Sequence, residues 1–307
     1  MMNTVIIGMG ALGLLFGDMI ASNADRDNTV FLMDKDRYER HSQDIYRING
    51  REKTFNLANA ALPNSVSFET ADFVIIATKY NGLADAISMM KPYTDDHTVI
   101  ISLLNGIISE DIIAQTFNRD NIIDCVPIGM DAMREGSSVT YTKAGRLQIG
   151  IRQRSQHKAF GRLCAFFDMA HVPYEAVDDI RHAMWNKFMI NVGINQTCMV
   201  YETTYAGAFS DPEAFSSLKK AMREVIELAS CEGVTLTDED YDNDLKILEG
   251  LNPNGYPSMR QDAVAKRYSE VELFAGTVLK LAAKYGIDTP VNKRFYDDIK
   301  KMESSYR

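Results

Sequence analysis

Through about residue 170 the chain alternates short β-rich runs with amphipathic stretches. Residues 4–8, 29–34, 72–78 and 98–103 read as buried strands, and helical stretches separate them. Strands that are apolar on both faces belong in a sheet covered on both sides, so the alternation predicts an α/β layer around a parallel sheet. Asn49-Gly50, set between residues 46–48 and 53–55, predicts a hairpin, and the β-rich residues 138–151 are expected to complete or edge the sheet. Beyond about residue 175 the pattern changes to helical spacing around 181–200, 211–232, 238–249, 260–285 and 290–303. Asp211-Pro212 opens one of these helices, Gly233 and Gly286 close two others, and Pro290 stands near the start of the last. The second half therefore reads as all-helical, with the boundary placed in residues 173–179.

Gly8-Met9-Gly10-Ala11-Leu12-Gly13 follows the first apolar strand and opens an apolar helix. In that setting Gly8 permits a tight turn, Gly10 lets backbone approach a pyrophosphate, and Gly13 lets the helix pack on the strand. The helix N-terminus attracts the phosphate charge. The expectation is an α/β fold with an N-terminal Rossmann-like dinucleotide-binding domain, residues 1–175, and a C-terminal all-helical domain, residues 176–307. Asp34 closes the second strand, where an acid accepts from a free ribose 2′-OH and favours NAD. Lys35 and Arg37 just beyond it are cations that would hold a 2′-phosphate, so residue type alone leaves both cofactors open; Lys79 at the end of the 72–78 strand is either a third cation at the carboxyl edge of the sheet, where ligands bind, or a strand-end lysine in solvent.

A second constellation lies in the helical half. Lys187, Asn191 and Asn195 stand at i, i+4 and i+8, on one helical face, among the apolar Phe188, Met189, Ile190, Val192 and Ile194. Asparagine is a poor helix-interior residue, so this polar stripe needs a reason, and a solvated helix face is the plain one. Ser258 and Glu270 say little alone. Glu270 is expected on one long helix running through Leu273 and Phe274 to Gly276, and Ser258 as the cap of that helix.

Composition narrows the function classes. The 307 residues, 46% hydrophobic and 24% charged, suggest two domains with a sizeable core. A net charge of -9 argues against a general nucleic-acid binder or an anionic membrane surface, while a small anionic substrate stays open through a local field. The start, Met1-Met2-Asn3-Thr4, has no basic stretch, and Gly8, Gly10, Gly13 and Asp18 interrupt the apolar run, so neither a signal peptide nor a membrane span is expected. Cys125, Cys164, Cys198 and Cys231 lack paired spacing, which favours reduced thiols and a cytoplasmic location; five scattered histidines make a metal enzyme a poor expectation.

Together these residues resemble the ketopantoate reductase family (2-dehydropantoate 2-reductase) along nearly the whole chain. Gly8 to Gly13 is similar to its G-x-G-A-[ILV]-G, and Lys79 in Ala77-Thr78-Lys79 matches its cofactor-phosphate lysine. Asn105 in Leu104-Asn105-Gly106 matches its asparagine-glycine turn beside nicotinamide and substrate. Trp185-Asn186-Lys187 with Asn191 and Asn195 resembles its W-x-K-x-x-x-N-x-x-x-N, and Ser258-Met259, Gln261-Asp262 and Glu270 resemble its S-M-x-Q-D and downstream glutamate. The chain departs from the pattern at Met33-Asp34-Lys35, where many members carry arginine, at Arg260 in place of leucine, and at residues 201–207, which supply no further asparagine.

The resemblance implies NADPH-dependent reduction of 2-dehydropantoate to pantoate in pantothenate and coenzyme A biosynthesis, with NAD(H) as the other cofactor to consider. It assigns proton donation to Lys187, substrate orientation to Asn191 and Asn195, and nicotinamide and substrate contact to Asn105. It also implies that Ser258 binds the carboxylate and that Glu270 contacts substrate or cofactor and positions Lys187. The cofactor set it implies is Gly8, Met9, Gly10, Ala11, Leu12, Gly13, Asp34, Lys35, Lys79, Asn105 and Glu270. A small 2-keto acid, a homodimer and closure of the two halves over substrate are the expected partners and motion. Two other readings are a β-hydroxyacid-type dehydrogenase, or a reductase of another 2-keto acid, and a non-enzymatic dinucleotide sensor.

Overall fold

The computed structural model describes residues 2–62 and 65–306. The chain divides into two compact units, Met1–Asn105 with Ser109–Ile180, and Gly106–Ile108 with Arg181–Arg307.

The first unit runs β1 (Thr4–Ile7), α1 (Ala11–Asn23), β2 (Thr29–Met33), α2 (Lys35–His41), β3 (Tyr46–Ile48), β4 (Arg51–Lys53), β5 (Asn56–Asn59) and β6 (Phe73–Ile76). It continues through α3 (Leu83–Met90), β7 (Val99–Ser102), α4 (Ser109–Ile113), β8 (Ile122–Ile128), β9 (Met133–Glu135), β10 (Ser138–Thr140), β11 (Arg146–Gly150), α5 (His157–Ala170) and β12 (Tyr174–Ala176). One sheet has the order β12-β11-β8-β7-β6-β1-β2-β5; β5 to β8 within it are parallel, and β11 turns antiparallel to β8. A second sheet has the order β4-β3-β10-β9.

Alternation along each central strand explains the layers. Ile6, Phe31, Phe73, Ile75 and Ile101 enter one core with Leu14, Leu15 and Phe16 of α1 and Phe166 and Phe167 of α5. The intervening Val5, Ile7, Val30, Leu32, Val74, Ile76 and Ile100 enter the other, against Leu83, Ala86 and Met90 of α3 and Ile113 of α4. Both faces are covered by helices, which is why these strands read as unbroken apolar runs.

Two local expectations shift. In the hairpin Ile48 pairs with Arg51, so its second strand is residues 51–53 rather than 53–55. Asn49 and Gly50, at φ 47 and 77, are both left-handed, and such a two-residue turn fixes the register at once. The β-rich residues 138–151 divide, β10 going to the small sheet and β11 to the large one.

The second unit holds α6 (Ile180–Val200), whose first residue belongs to the first unit, then α7 (Tyr205–Ser210), α8 (Pro212–Cys231), α9 (Asp238–Glu249), α10 (Ser258–Val264), α11 (Ala275–Tyr285) and α12 (Pro290–Glu303). Asp211 caps α8 by accepting from the amides of Glu213 and Ala214, and Gly286, at φ 68, ends α11. At Gly193 a side chain would come within 2.6 Å of Met222 Cγ, so the glycine lets α6 lie close on α8. The single helix expected over 260–285 is two. Lys266 turns left-handed at φ 51, Arg267 N–H returns to the Asp262 carbonyl, and residues 265–274 cross non-helically to α11. The buried Glu303 carboxylate holds that crossing by accepting from Ser269 N–H at 2.7 Å and Ser269 Oγ at 2.6 Å. Among the described residues no helix is long and apolar enough to cross a membrane.

Candidate functional site

The loop after β1 is built for close backbone approach. Gly8 sits at φ +108, and a Cβ there would lie 2.5 Å from the carbonyl of Ala77; one at Gly13 would lie 2.0 Å from Gly8 O. Both glycines are therefore required by the fold itself. Gly10 differs, because a Cβ there would meet only Ala77 O at 3.8 Å, leaving open space for a ligand. Gly10 is also the N-cap of α1 and provides no side-chain cap, so the amides of Ala11 and Leu12 in the first turn suit an anion. Met9 and Leu12 pack partly against the α1 core.

The neighbouring strand end adds polar groups. Ala77, Thr78 and Lys79 follow β6, with Lys79 exposed and Thr78 Oγ1 buried without a hydrogen-bond partner. Such an orphan hydroxyl beside an uncapped helix and a glycine cradle fits a dinucleotide phosphate. Asp34 caps α2, its Oδ1 accepting from Arg37 N–H at 2.8 Å, while Arg37 Nη1 pairs with Asp34 Oδ2 at 3.2 Å. Lys35 pairs with Glu39 at 3.7 Å. Asn105 is half-buried in the loop between β7 and α4. Arg134 of β9 was not singled out from sequence, since nothing in its neighbourhood along the chain ties it to residue 9; its Nη1 donates to the Met9 carbonyl and its Nε to the Gly136 carbonyl at 2.7 Å.

In the second unit α6 carries Lys187, Asn191 and Asn195, the first two half-buried and the third buried. Ser258 Oγ and Met259 N–H both donate to Asn195 Oδ1, at 3.1 and 3.3 Å, and Asn195 Nδ2 donates to Asn191 Oδ1 at 3.2 Å. Ser258 is thus joined to the asparagines rather than capping α10, whose N-cap is Pro257. The relay ends on Asn191 Nδ2, which is buried with no acceptor. Lys187 lies one turn earlier on α6. The helix is held rigidly, because Gln196 donates to Val192 O and Asn292 Oδ1 and accepts from Ala275 N–H at 3.2 Å. Glu270 is half-buried in the non-helical crossing rather than on a helix, and its carbonyl accepts from Leu273 and Phe274 N–H in the turn that leads into α11.

Behind that face Asn186 Nδ2 donates to Asp244 Oδ1 at 3.3 Å, and burial together with the nearby Asp240 pushes the Asp244 carboxyl up to about 7. Its spacing with Tyr241 and Leu248 on one face of α9 was the available sign that Asp244 turns inward.

The profile for ketopantoate reductase PanE/ApbA matches residues 4–154 and that for its C-terminal part residues 179–303. A 2-dehydropantoate 2-reductase of Streptococcus pyogenes is 25% identical over 93% of this chain and 92% of its own. D-mandelate dehydrogenase in complex with NADH superposes with a TM-score of 0.88 at 21% identity, covering 100% of both chains. A dimeric ketopantoate reductase from Staphylococcus aureus superposes at 0.81 with 22% identity, covering 99% of each chain. The two profile matches fall on the glycine loop and on the Lys187 helix respectively, and the chain belongs to the ketopantoate reductase family.

Proposed function

We propose that the protein reduces the carbonyl of a small 2-keto acid, ketopantoate first, with NADPH as reductant. The observation that carries this reading is the unsatisfied Asn191 Nδ2 at the end of the Ser258–Asn195–Asn191 relay, one turn from Lys187. A buried amide donor without an acceptor costs about 1–3 kcal/mol and is explained by a ligand oxygen that completes it.

Gly8 to Gly13, Thr78 and Lys79 would hold the dinucleotide phosphates, with Asp34 and Lys35 at its ribose end and Asn105 by its nicotinamide. When bound, the cofactor supplies the hydride. Lys187 Nζ gives its proton to the oxygen that gains charge, which as general acid contributes roughly 10²–10⁴ in rate. Asn191 fixes that oxygen, Asn195 fixes Asn191, Ser258 binds the carboxylate, and Glu270 contacts cofactor or substrate and keeps Lys187 in place. Residues 1–175 serve as the cofactor domain and 176–307 as the substrate and dimerisation domain, and the working form is a homodimer, as in the S. aureus relative.

Asp34 favours a second reading, an NADH-dependent reductase of another 2-keto acid, since an acid at the end of β2 accepts from a free ribose hydroxyl. Steady-state oxidation of NADPH and NADH with ketopantoate, benzoylformate and pyruvate separates the two. Fastest turnover with NADPH and ketopantoate supports the first reading, and fastest turnover with NADH and either other acid replaces it with the second.

A further inference from the structure

Among the described residues Arg134 forms no ion pair with a carboxylate. Its Nε donates to Gly136 O at 2.7 Å and its Nη1 to Met9 O, both neutral carbonyls. The carboxylate that feels its charge, Asp44, is engaged elsewhere, accepting from Ser137 Oγ at 3.0 Å and paired with His41 Nδ1 at 2.8 Å. The cations that follow β2 are paired instead, Arg37 with Asp34 and Lys35 with Glu39. Thus a guanidinium anchored on the second residue of Gly8-Met9-Gly10-Ala11-Leu12-Gly13 stands exposed beside an uncapped helix N-terminus. A fork that spends two donors on carbonyls still presents its other Nη, the geometry that suits phosphate oxygens. In a chain of net charge -9 a local cation at this loop also offsets repulsion of an anionic dinucleotide.

We infer that Arg134 is a cofactor-binding residue, its guanidinium held on the Met9 carbonyl and bonding a phosphate group of the dinucleotide. The inference rests on the reading of the glycine loop as a nicotinamide-dinucleotide site and adds to it a residue from a strand remote in sequence. The phosphate is either the pyrophosphate, common to both cofactors, or the 2′-phosphate, present in NADPH alone.

Dissociation constants for NADPH and NADH, measured by titration at two salt concentrations on the full chain, test it with Arg134→Ala and Arg134→Lys. Arg134→Ala is expected to weaken binding roughly ten- to a hundred-fold and to flatten the salt dependence, with Arg134→Lys recovering part of the loss. A melting temperature within a few degrees of wild type separates lost binding from lost fold, and Arg134→Lys carries the test should the alanine variant unfold. Equal losses for both cofactors assign the pyrophosphate, and a loss confined to NADPH assigns the 2′-phosphate. Unchanged affinities in variants of a wild type that binds either cofactor overturn the inference alone. A wild type that binds neither overturns the dinucleotide reading and Arg134's role with it.

Discussion

Gly8 and Gly13 hold the fold, whereas Gly10 faces open space and Asn191 keeps a buried amide donor without an acceptor, the two positions to which the proposed function gives a ligand. Asn191→Asp keeps the acceptor for Asn195 but replaces the unsatisfied donor with a negative acceptor, so a substrate oxygen is repelled instead of bound. We expect kcat/KM to fall by about 100-fold or more with the melting temperature little changed; unaltered kinetics would remove Asn191 from substrate binding. Gly8→Ala forces a left-handed φ of +108 on alanine and drives Cβ to 2.5 Å from Ala77, so it should lower stability by several kcal/mol, about the scale of combined strain and overlap. Gly10→Val meets open space in the protein and should fold with a near-native melting curve, yet lose cofactor binding in a titration because it fills the phosphate's place. The glycines were legible because each constraint is local to a strand-to-helix turn. Thr78 and Arg134 were not, since Thr78 follows β6, which pairs with the distant β1, and Arg134 lies on β9, whose partner β10 is joined to the distant β3.

At the scale of elements, periodicity located α9 and α12 to the residue, and their starts are sharply marked, α9 by the Thr237 cap and α12 by Pro290 as its first helical residue. It joined α10 to α11 because residues 265–274 contain neither glycine nor proline, and what holds them out of a helix is the carboxylate of Glu303, more than thirty residues on. The same limit hid α4, where Glu110 is 1% exposed and accepts from Ser109 Oγ at 2.9 Å. Burial and the neighbouring Asp124 raise Glu110 from 4.5 to about 8. The folded state thus keeps a proton that the unfolded chain releases above 4.5, so this group lowers stability as pH rises from about 4.5 to 8 and adds no further slope above 8. Glu110→Gln should flatten the melting temperature between pH 5 and 8 and gain about 1–3 kcal/mol at pH 8 relative to wild type. A variant whose pH profile overlays wild type would show that Glu110 is ionised throughout.

For the molecule as a whole, the β-rich half and helical half were legible from one change of periodicity, and the chain's contacts divide it into units that meet at Ile180 and Arg181. What the pattern could not supply is the excursion of Gly106–Ile108 into the second unit, because three residues after β7 carry no periodic signature. The glycine loop, Thr78 and Lys79 stand in one unit and the Lys187, Asn191 and Asn195 face in the other, and the proposed reaction requires both to serve one substrate. That requirement is tested most directly by the rate of NADPH oxidation with ketopantoate for wild type and Lys187→Ala, alongside their NADPH dissociation constants. The account predicts rapid oxidation by wild type, a loss of about 10²–10⁴ in turnover for Lys187→Ala, and equal cofactor affinity in both. Equal turnover in the two proteins, or tight NADPH binding by wild type with no oxidation of NADPH, would contradict it.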